Sequence, residues 1–396
     1  MRILFVHEVN YRNKVIFEMH EFPELLSLQG HEIAFFHYPE SPDRPKRSWT
    51  THREVIQGRV HPDASLTLIT PPTFGGGARE RYLAPLLNAP SLQSEIRRGG
   101  YDVIFLYSVP TTGWQAVAFA RRAGVPVVFR ALDVSHQIRK SPLTAFIRLA
   151  EKYIYRNSAL LSGNNPALVQ YCVAMSGRTG PSQVNLPPID LSHFEQGDGA
   201  GLRRDLGIGR QEKVLLYMGS FFEFSGLDVV VNDMVELCRI HDRLRLVLVG
   251  GGALDATLRK MVNDLGLSDR VIFTGVVPYA KLPDYLRIAD VALNPFVPQL
   301  LTNVALPHKV LQYMAAGIPV VTTSLTGLRG VLGEESGVTW VASPEDVAAE
   351  ATALAFRDPG ALAVISKIQS SYVTATFSQA QSLASLEKAL ADVVVA

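Results

Sequence analysis

The residues best suited to chemistry lie in the segment Leu306–Val321, LPHKVLQYMAAGIPVV. Its pattern predicts a loop, a helix from about Pro307 to Ala316, a glycine that ends the helix, and a strand. A helix N-terminus presents free backbone N–H groups and a partial positive charge, and Lys309 would lie beside them. This combination suits a diphosphate, and Gln312, one turn beyond His308, can reach a ribose hydroxyl. The alternative is an ordinary helix with a surface lysine.

A second group of polar residues follows an apolar run in the first half of the chain, VVFRALDVSH over 127–136. The run predicts a buried strand with Asp133 and His136 beyond its carboxyl end. Ligands of open α/β sheets bind at that end of the strands, so both side chains are candidates for contact with a substrate. A lone aspartate at a strand end is also a common helix cap, and this alternative stays open.

Missing motifs exclude several common chemistries. The predicted first strand is followed by His7-Glu8-Val9-Asn10, so a G-x-G-x-x-G dinucleotide fingerprint is absent where it would be expected. The sequence also lacks a G-x-x-x-x-G-K-[ST] loop, an H-E-x-x-H pair and a G-x-S-x-G elbow. Dehydrogenases, P-loop NTPases, zincins and α/β-hydrolases are therefore excluded.

Charge and cysteine content narrow the partners and the compartment. The chain has 38 basic and 37 acidic residues, a net charge of +1 that argues against a dedicated nucleic-acid binder. Residues 1–190 hold 21 basic and 15 acidic residues, while the remainder holds 17 and 22. Cys172 and Cys238 predict buried thiols in a reducing cytoplasm. No signal peptide and no apolar window of roughly eighteen residues is found, which predicts a cytoplasmic protein.

Short apolar runs alternate with amphipathic stretches, and this rhythm predicts two doubly wound parallel sheets. Strands are predicted at 3–6, 32–36, 65–69, 103–107, 125–130, 159–162, 214–218, 244–249, 271–273, 291–293, 320–322 and 339–341. The helices predicted between and after them include 17–28, 115–123, 227–240, 253–265, 281–288 and 378–391. A glycine-rich polar stretch predicts a linker over 191–212, which separates domains at 1–190 and 213–377.

Taken together, these segments resemble the family 4 retaining glycosyltransferases, which have the GT-B fold. The run Leu306–Val321 looks like the donor segment of that family. The sequences VLLYMGS (214–220) and SGLD (225–228) resemble its first donor-domain strand, donor loop and helix, and LVLVGGG (246–252) resembles its next strand and glycine turn. The resemblance is strong over about residues 210–345 and weaker but collinear over the first 190.

The resemblance implies two Rossmann-like domains facing each other across a cleft, with the last helix, 378–396, packed back on the N-terminal domain. It implies transfer of a sugar from a nucleoside diphosphate sugar to an acceptor hydroxyl, with retention at the anomeric carbon and without a metal or other cofactor. The absence of a D-x-D motif agrees with metal independence. The catalytic candidates are then Lys309, Asp133 and His136. The donor-binding candidates are Gly219, Ser220, Gly250, Gly251, Val277, Asn303, Leu306, Pro307, Lys309 and Gln312.

The sequence departs from the family pattern at its charged positions. Many members carry two glutamates separated by seven residues in the donor loop, where this chain has Val304 and Gln312. Members also usually carry an arginine and a lysine where Ser220 and Ser225 stand here, and we infer that Lys309 offsets their loss. In the N-terminal half, Leu132 replaces the family's histidine, and His136 is the candidate substitute.

These departures leave alternatives open. The chain could be a GT-B-fold sugar-nucleotide epimerase, or a non-catalytic donor-binding partner of an active transferase. As a transferase, its acceptor would be a glycan, a lipid-linked sugar or a small molecule, in cell-envelope glycan, polysaccharide or glycolipid biosynthesis. The stretch 139–156 has a net charge of +4 and reads as a core-facing helix with a charged outer face. Its alternative is peripheral contact with anionic lipid at the inner face of the membrane.

Overall fold

The computed structural model describes residues 1–39, 48–73, 78–138 and 142–395, with only the main chain of residues 78 and 79. Within these residues the chain forms two α/β units, as the alternating pattern predicts. The first unit comprises Met1–Pro188 together with the C-terminal residues from Ala380, and the second comprises Ile189–Gln379.

The first unit is built on a sheet of eight strands in the described residues. These strands are β1 (Arg2–Val6), β2 (Glu32–Phe36), β3 (His52–Gln57), β4 (Ser65–Thr70), β5 (Val103–Leu106), β6 (Val127–Ala131), β7 (Leu160–Gly163) and β8 (Ser182–Val184). Its helices are α1 (Glu18–Leu28), α2 (Ala78–Leu87), α3 (Ala89–Arg98), α4 (Gly113–Ala123), α5 (Ser135–Ile138), α6 (Thr144–Asn157), α7 (Pro166–Ser176) and α18 (Gln379–Val395).

The strand order of this sheet is β3-β4-β2-β1-β5-β6-β7-β8. All pairs are parallel except β3 with β4, which is antiparallel. The central strands β1 and β5 are apolar along their length because helices cover both faces of a parallel sheet. Ile3, Phe5, Val103 and Phe105 accordingly lie fully buried in the core of this unit.

The second unit contains a six-stranded sheet in its described residues, with all pairs parallel. Its strands are β9 (Lys213–Ser220), β10 (Leu244–Gly251), β11 (Val271–Gly275), β12 (Val291–Asn294), β13 (Val320–Thr323) and β14 (Thr339–Val341), in the order β11-β10-β9-β12-β13-β14. Its helices are α8 (Leu191–Phe194), α9 (Gly199–Asp205), α10 (Leu227–Ile240), α11 (Asp255–Asp264), α12 (Leu282–Leu286), α13 (Leu300–Asn303), α14 (His308–Ala315), α15 (Thr326–Leu332), α16 (Val347–Ala355) and α17 (Pro359–Phe377).

The segment predicted as a linker, 191–212, forms α8 and α9 within the second unit. Polar residues that suggested a loop act as helix caps: Asp190 accepts the backbone N–H of His193, and Asp198 accepts that of Gly201. Phe194 at the end of α8 is buried and packs edge-on against Tyr279, with ring centroids 5.9 Å apart. The polar composition of this stretch thus reflects helix termini.

The C-terminal helix α18 packs on the first unit. Leu383, Leu386 and Leu390 are buried in the same hydrophobic core as β1 and β5. At the polar margin, the amide nitrogen of Asn185 donates to the hydroxyl of Ser385 at 2.9 Å. The chain therefore completes its first unit with its last helix.

Candidate functional site

In the second unit, the sheet contains a topological switch point between β9 and β12. β9 pairs with β10 on one side and with β12 on the other, so the connections after these strands lead to opposite sides of the sheet. Ligands of open α/β sheets bind beyond the carboxyl ends of the strands at such a point. β9 ends at Ser220 and β12 at Asn294, and the segment after β12 leads to Lys309.

Tyr313 holds helix α14 against the end of β9. The backbone N–H of Met218 donates to the Tyr313 hydroxyl oxygen at 2.6 Å, and this hydroxyl donates to the Met218 carbonyl at 3.4 Å. Tyr313 is fully buried, and Leu306 and Pro307, which precede the helix, are buried as well. These contacts place the first turn of α14, which contains Lys309, beside the carboxyl end of β9.

The ammonium group of Lys309 lies on two aromatic rings. Its Nζ is 3.8 Å from the ring centroid of Tyr217 and 4.4 Å from that of Phe296. A Cβ atom placed on Gly219 would lie 3.0 Å from the same nitrogen, so the ammonium also rests against the main chain of this turn. Desolvation by burial lowers the pKa of Lys309 well below its ordinary value. An anion bound here would stabilise the charged form.

Glycines allow the turns after β9, β10 and β12 to approach each other closely. Gly219 and Gly250 have φ angles of +136° and +128°, and a Cβ on Gly250 would lie 2.0 Å from the Gly219 carbonyl oxygen. Gly226 has a φ of +65°, and a Cβ there would lie 2.0 Å from the carbonyl oxygen of Pro295. A side chain at Gly250 or Gly226 would push the turns apart. Two of the predicted donor residues, Gly219 and Gly250, are thus in direct contact.

Other predicted donor residues lie on the same turns and on the turn after β11. Ser220 is exposed, and its carbonyl oxygen accepts a hydrogen bond from the Tyr217 hydroxyl at 3.0 Å. The carbonyl of Gly251 accepts the backbone N–H of Phe221 at 3.0 Å. Val277 is half-buried and follows β11, the edge strand beside β10.

Three positions around α13 and α14 differ in whether their side chains are available to a ligand: Asn303, Val304 and Gln312. The side-chain oxygen of Asn303 accepts the backbone N–H of Thr326, at the start of α15, at 3.4 Å. Val304, at a position where the family carries glutamate, is buried. Gln312 is half-buried, and within the described residues its side-chain amide has no hydrogen-bond partner. Its amide is therefore available to a ligand hydroxyl.

The first unit has its own cavity at its own switch point, between β1 and β5. This cavity of about 250 Å³ is lined by residues that follow three neighbouring strands: His7 and Glu8 after β1, Tyr107 after β5, and Leu132 and Asp133 after β6. It is large enough for a small polar ligand such as one sugar or polyol ring.

Of the two catalytic candidates in this unit, the structure brings only Asp133 to the cavity. Asp133 lines it and accepts a hydrogen bond from the Ser135 hydroxyl at 3.4 Å. His136 is not among the lining residues. Its Nδ1 is 2.5 Å from a carboxylate oxygen of the buried Glu151, and its backbone N–H donates to the other oxygen at 3.2 Å. Packing of α5 on α6 therefore engages the ring of His136 with Glu151.

Arg130, which no sequence argument singled out, also lines the cavity. Its Nε and Nη2 each donate to a carboxylate oxygen of Glu18 at 2.7 Å, and both side chains are fully buried. Its Nη1 donates to the Ser162 hydroxyl at 3.0 Å and to the Asn185 carbonyl at 2.7 Å. An arginine inside the apolar strand VVFRA was the signal that could have identified it, because a buried charge needs a partner.

His7 and Glu8 also line this cavity, and neither was predicted as a site residue from the sequence. The ring of His7 stacks on that of Tyr107 with centroids 5.1 Å apart, and a Glu8 carboxylate oxygen accepts the backbone N–H of Thr111 at 3.0 Å. Their position directly after the first buried strand is the sequence signal that would have identified them.

In the part of the chain that the structure describes, no three His, Cys, Asp or Glu side chains are grouped so as to hold a metal ion. Helices long and apolar enough to cross a membrane are also absent from those residues. The two cysteines are free thiols, Cys172 buried and Cys238 half-buried.

Both units match models of glycosyltransferase domains. The model described as glycosyl transferases group 1 matches residues 212–356, within the second unit. A glycosyl transferase 4-like domain matches residues 20–187, within the first unit. The two matches together span most of the chain.

Individual relatives agree with these matches. The D-inositol 3-phosphate glycosyltransferase of Frankia alni is 28% identical over 254 residues, which cover 60% of this chain and 60% of that protein. The chain thus spans less than two thirds of the length of this relative.

Two solved structures share the fold over almost the whole chain. Anabaena HepE in complex with UDP and glucose has a TM-score of 0.76 at 16% identity and covers 99% of this chain and 100% of its own. Sucrose-phosphate synthase from Thermosynechococcus elongatus has a TM-score of 0.78 at 18% identity and covers 100% and 99%. The second unit matches the group 1 model, the first unit matches the glycosyl transferase 4-like model, and both solved structures share the fold. The chain therefore belongs to these glycosyltransferases and has the GT-B fold.

Proposed function

We propose that this chain is a retaining glycosyltransferase that moves a sugar from a nucleoside diphosphate sugar to an acceptor hydroxyl. The observation that carries the proposal is the ammonium of Lys309 against the Gly219 turn, at the switch point of the second unit. HepE, which shares the fold, has been solved with UDP and with UDP-glucose, so uridine nucleotides are the first donors to test.

In this proposal the protein itself stabilises the leaving diphosphate. Lys309 and the backbone N–H groups of the Gly219 turn and of the first turn of α14 face the charge that develops as the bond to the sugar breaks. Gln312 binds a ribose hydroxyl as a neutral group. The leaving phosphate oxygen takes the proton of the acceptor hydroxyl, so neither a metal nor another cofactor is needed.

The cavity of the first unit is proposed to hold the acceptor. Glu8 and Asp133 can accept hydrogen bonds from hydroxyl groups, and Lys14, also on the lining, supplies a cation for an anionic acceptor. The curated relative is named for D-inositol 3-phosphate, a phosphorylated polyol, which is therefore one acceptor to test. Glycans and lipid-linked sugars complete the panel, since we propose a role in cell-envelope glycan biosynthesis on the cytoplasmic side.

The substitution Lys309→Ala tests the donor site. A thermal-shift screen with UDP, GDP, dTDP and ADP sugars first identifies the donor, because a bound ligand raises the melting temperature. Transfer is then measured over the acceptor panel, and Lys309→Ala should lower kcat/KM by about 100- to 1,000-fold, as expected when a group that stabilises transition-state charge is lost. Lys260→Ala, at an exposed lysine of the same unit, is the matched control. Near-normal turnover of Lys309→Ala would refute the assignment.

The loss of both donor-loop glutamates, at Val304 and Gln312, favours one competing function, a non-catalytic donor-binding subunit. Calorimetric binding of a nucleotide sugar without hydrolysis or transfer to any acceptor would support that function. Incubation with donor alone, followed by a search for an epimerised sugar nucleotide, tests the epimerase alternative.

We further propose that helix α6 contacts an anionic membrane surface. Its outer face exposes Leu143, Phe146 and Leu149, the last with 66% of its surface accessible. Arg148, Lys152 and Arg156 are exposed along the same helix. Apolar side chains flanked by cations are the pattern of a helix that lies in a lipid interface. Arg139 and Lys140, which belong to the same basic stretch of sequence, lie outside the described residues.

Vesicle sedimentation tests this contact. The protein should bind vesicles containing phosphatidylglycerol, binding should weaken as NaCl is raised, and Leu149→Glu should abolish it. Val364→Glu makes the same charge change at a 60% exposed apolar residue of the second unit and should bind like the parent. Equal binding of the parent and Leu149→Glu would show that α6 is not the contact.

A further inference from the structure

Within the described residues, no carboxylate supports the charged form of Lys309. In the described part of the chain no Asp or Glu oxygen lies within 4.0 Å of its nitrogen, and its close partners are the rings of Tyr217 and Phe296. Desolvation by burial lowers the pKa of Lys309. Its charged form therefore depends on the stabilisation that these two rings provide. The rings have negative faces that attract a cation, and they carry no net charge.

Both rings are held in place by contacts behind them. Tyr217 is fully buried, and its hydroxyl donates to the Ser220 carbonyl at 3.0 Å, which ties the ring to the turn after β9. Phe296 is also buried and meets Phe224 edge-on, with ring centroids 5.3 Å apart. Phe224 in turn stacks on Phe222 at 5.2 Å. The end of β9 and the segment that follows it thus hold both rings, Tyr217 through Ser220 and Phe296 through Phe224.

We propose that Tyr217 and Phe296 are positioning residues that form an aromatic seat, which holds the Lys309 ammonium against Gly219 before the donor arrives. The proposal rests on the proposed function in one respect, namely that Lys309 binds the donor diphosphate. Neither ring needs to touch the donor.

The seat leaves the charge of Lys309 available to the donor. A carboxylate partner would neutralise Lys309 and repel an incoming phosphate, whereas an aromatic face orients the ammonium and leaves its full charge for the ligand. The absence of a side chain at Gly219 keeps the ammonium in contact with the main chain of the turn. A diphosphate can therefore meet the ammonium and the backbone N–H groups of that turn together.

The first test measures nucleotide binding by calorimetry, with UDP, GDP, ADP and dTDP as probes. Loss of one ring in Phe296→Leu should weaken binding of the nucleoside diphosphate that the parent prefers by about 5- to 30-fold, the equivalent of about 1–2 kcal/mol. Binding of the corresponding nucleoside, which has no phosphate, should change less than about twofold. Phe296→Tyr, which restores an aromatic face, should recover binding to within about threefold of the parent.

The matched control is Trp340→Leu, which removes the ring under Arg329 in the same unit. It should leave diphosphate binding unchanged. Equal weakening of nucleoside and diphosphate by Phe296→Leu would assign that residue a merely structural role and overturn the proposal, as would failure of Phe296→Tyr to recover binding.

A second measurement separates the seat from the proposed function. In protein labelled with ¹³C at lysine Cε, the Lys309 methylene protons should resonate upfield of the other lysines because they lie over two rings, and Phe296→Leu should move them back. Lys309→Arg assigns the signal. An unshifted Lys309 signal in the parent would overturn the seat. A shifted signal in a protein that binds none of the four nucleotides would instead contradict the proposed function.

Discussion

Two buried histidines of the first unit, His20 and His37, make its stability depend on pH. Burial lowers their pKa values to about 4 and about 3, and the positive charges of Arg59 and Arg12 act in the same direction. An unfolded histidine binds its proton near pH 6.5, so below that pH the unfolded chain takes up protons that the folded unit does not. The stability of the folded unit is therefore complete above about pH 6.5 and is lost as the pH falls toward the folded pKa values.

We expect the free energy of unfolding of the first unit to fall by up to about 1.4 kcal/mol per pH unit for each of these histidines between about pH 6 and pH 4. Urea unfolding followed by tryptophan fluorescence can measure this, since Trp49 and Trp114 both lie in this unit. In His37→Gln, the free energy of unfolding should depend less steeply on pH, because one histidine no longer takes up a proton on unfolding. A variant slope equal to that of the parent would contradict this prediction.

The close approach of the turns at the ends of β9 and β10 requires a glycine at position 250. A Cβ on Gly250 would lie 2.0 Å from the carbonyl oxygen of Gly219, and the φ of +128° is itself unfavourable for a side chain. The Gly219 turn would have to move, and it is the turn against which Lys309 lies.

We expect Gly250→Ala to destabilise the second unit by about 1–3 kcal/mol and to weaken nucleoside diphosphate binding by at least about tenfold. Gly266→Ala is the matched control, because Gly266 also has a positive φ, +69°, but no atom lies within 4 Å of the added Cβ. It should lose about 1 kcal/mol from backbone strain and keep its affinity. Calorimetry and thermal unfolding of both variants give the comparison, and parent-like binding by Gly250→Ala would rule out the role assigned to this contact.

The two units are not two halves of the sequence, since the last helix belongs to the first unit. Leu390 in α18 is fully buried in the core that contains β1 and β5. The Nε2 of His31, after α1, lies 2.9 Å from a carboxylate oxygen of Glu387 in the same helix. The stability of the first unit thus depends on residues synthesised after the whole second unit.

Leu390→Ala should therefore destabilise the first unit by about 2–5 kcal/mol and leave the second unit unchanged. Hydrogen exchange measured by mass spectrometry reports on each unit separately. Peptides from β1 and β5 should lose protection, while those from β9 and β10 should keep it. Val395→Ala, at an 87% exposed position of the same helix, should have no effect. Equal loss of protection in both units would show that α18 stabilises more than the first unit.

Elements with strong local signals could be predicted from the sequence. The strand at 32–36 and the helix at 227–240 have the predicted bounds, because a continuous apolar run or a helical period ends at a residue that stops it. β3 (His52–Gln57) was missed because it is an antiparallel edge strand with little buried apolar surface. Helix α17 (Pro359–Phe377) was also missed, because its first half is largely exposed and presents no clear apolar stripe.

The sequence by itself determined the alternation of strands and helices, the two sheets and the donor segment around Lys309, because these depend on the order of residues along short stretches. Only the tertiary structure decided which side chains surround each site. Proximity in sequence made His136 the candidate substitute for the histidine missing at Leu132, and helix packing places its ring against Glu151. His7 lines the same cavity as Leu132 because β1 and β6 both flank β5. Tyr217 and Phe296 likewise meet Lys309 because β9 and β12 are neighbours in the sheet, and strand order is a property that no local pattern encodes.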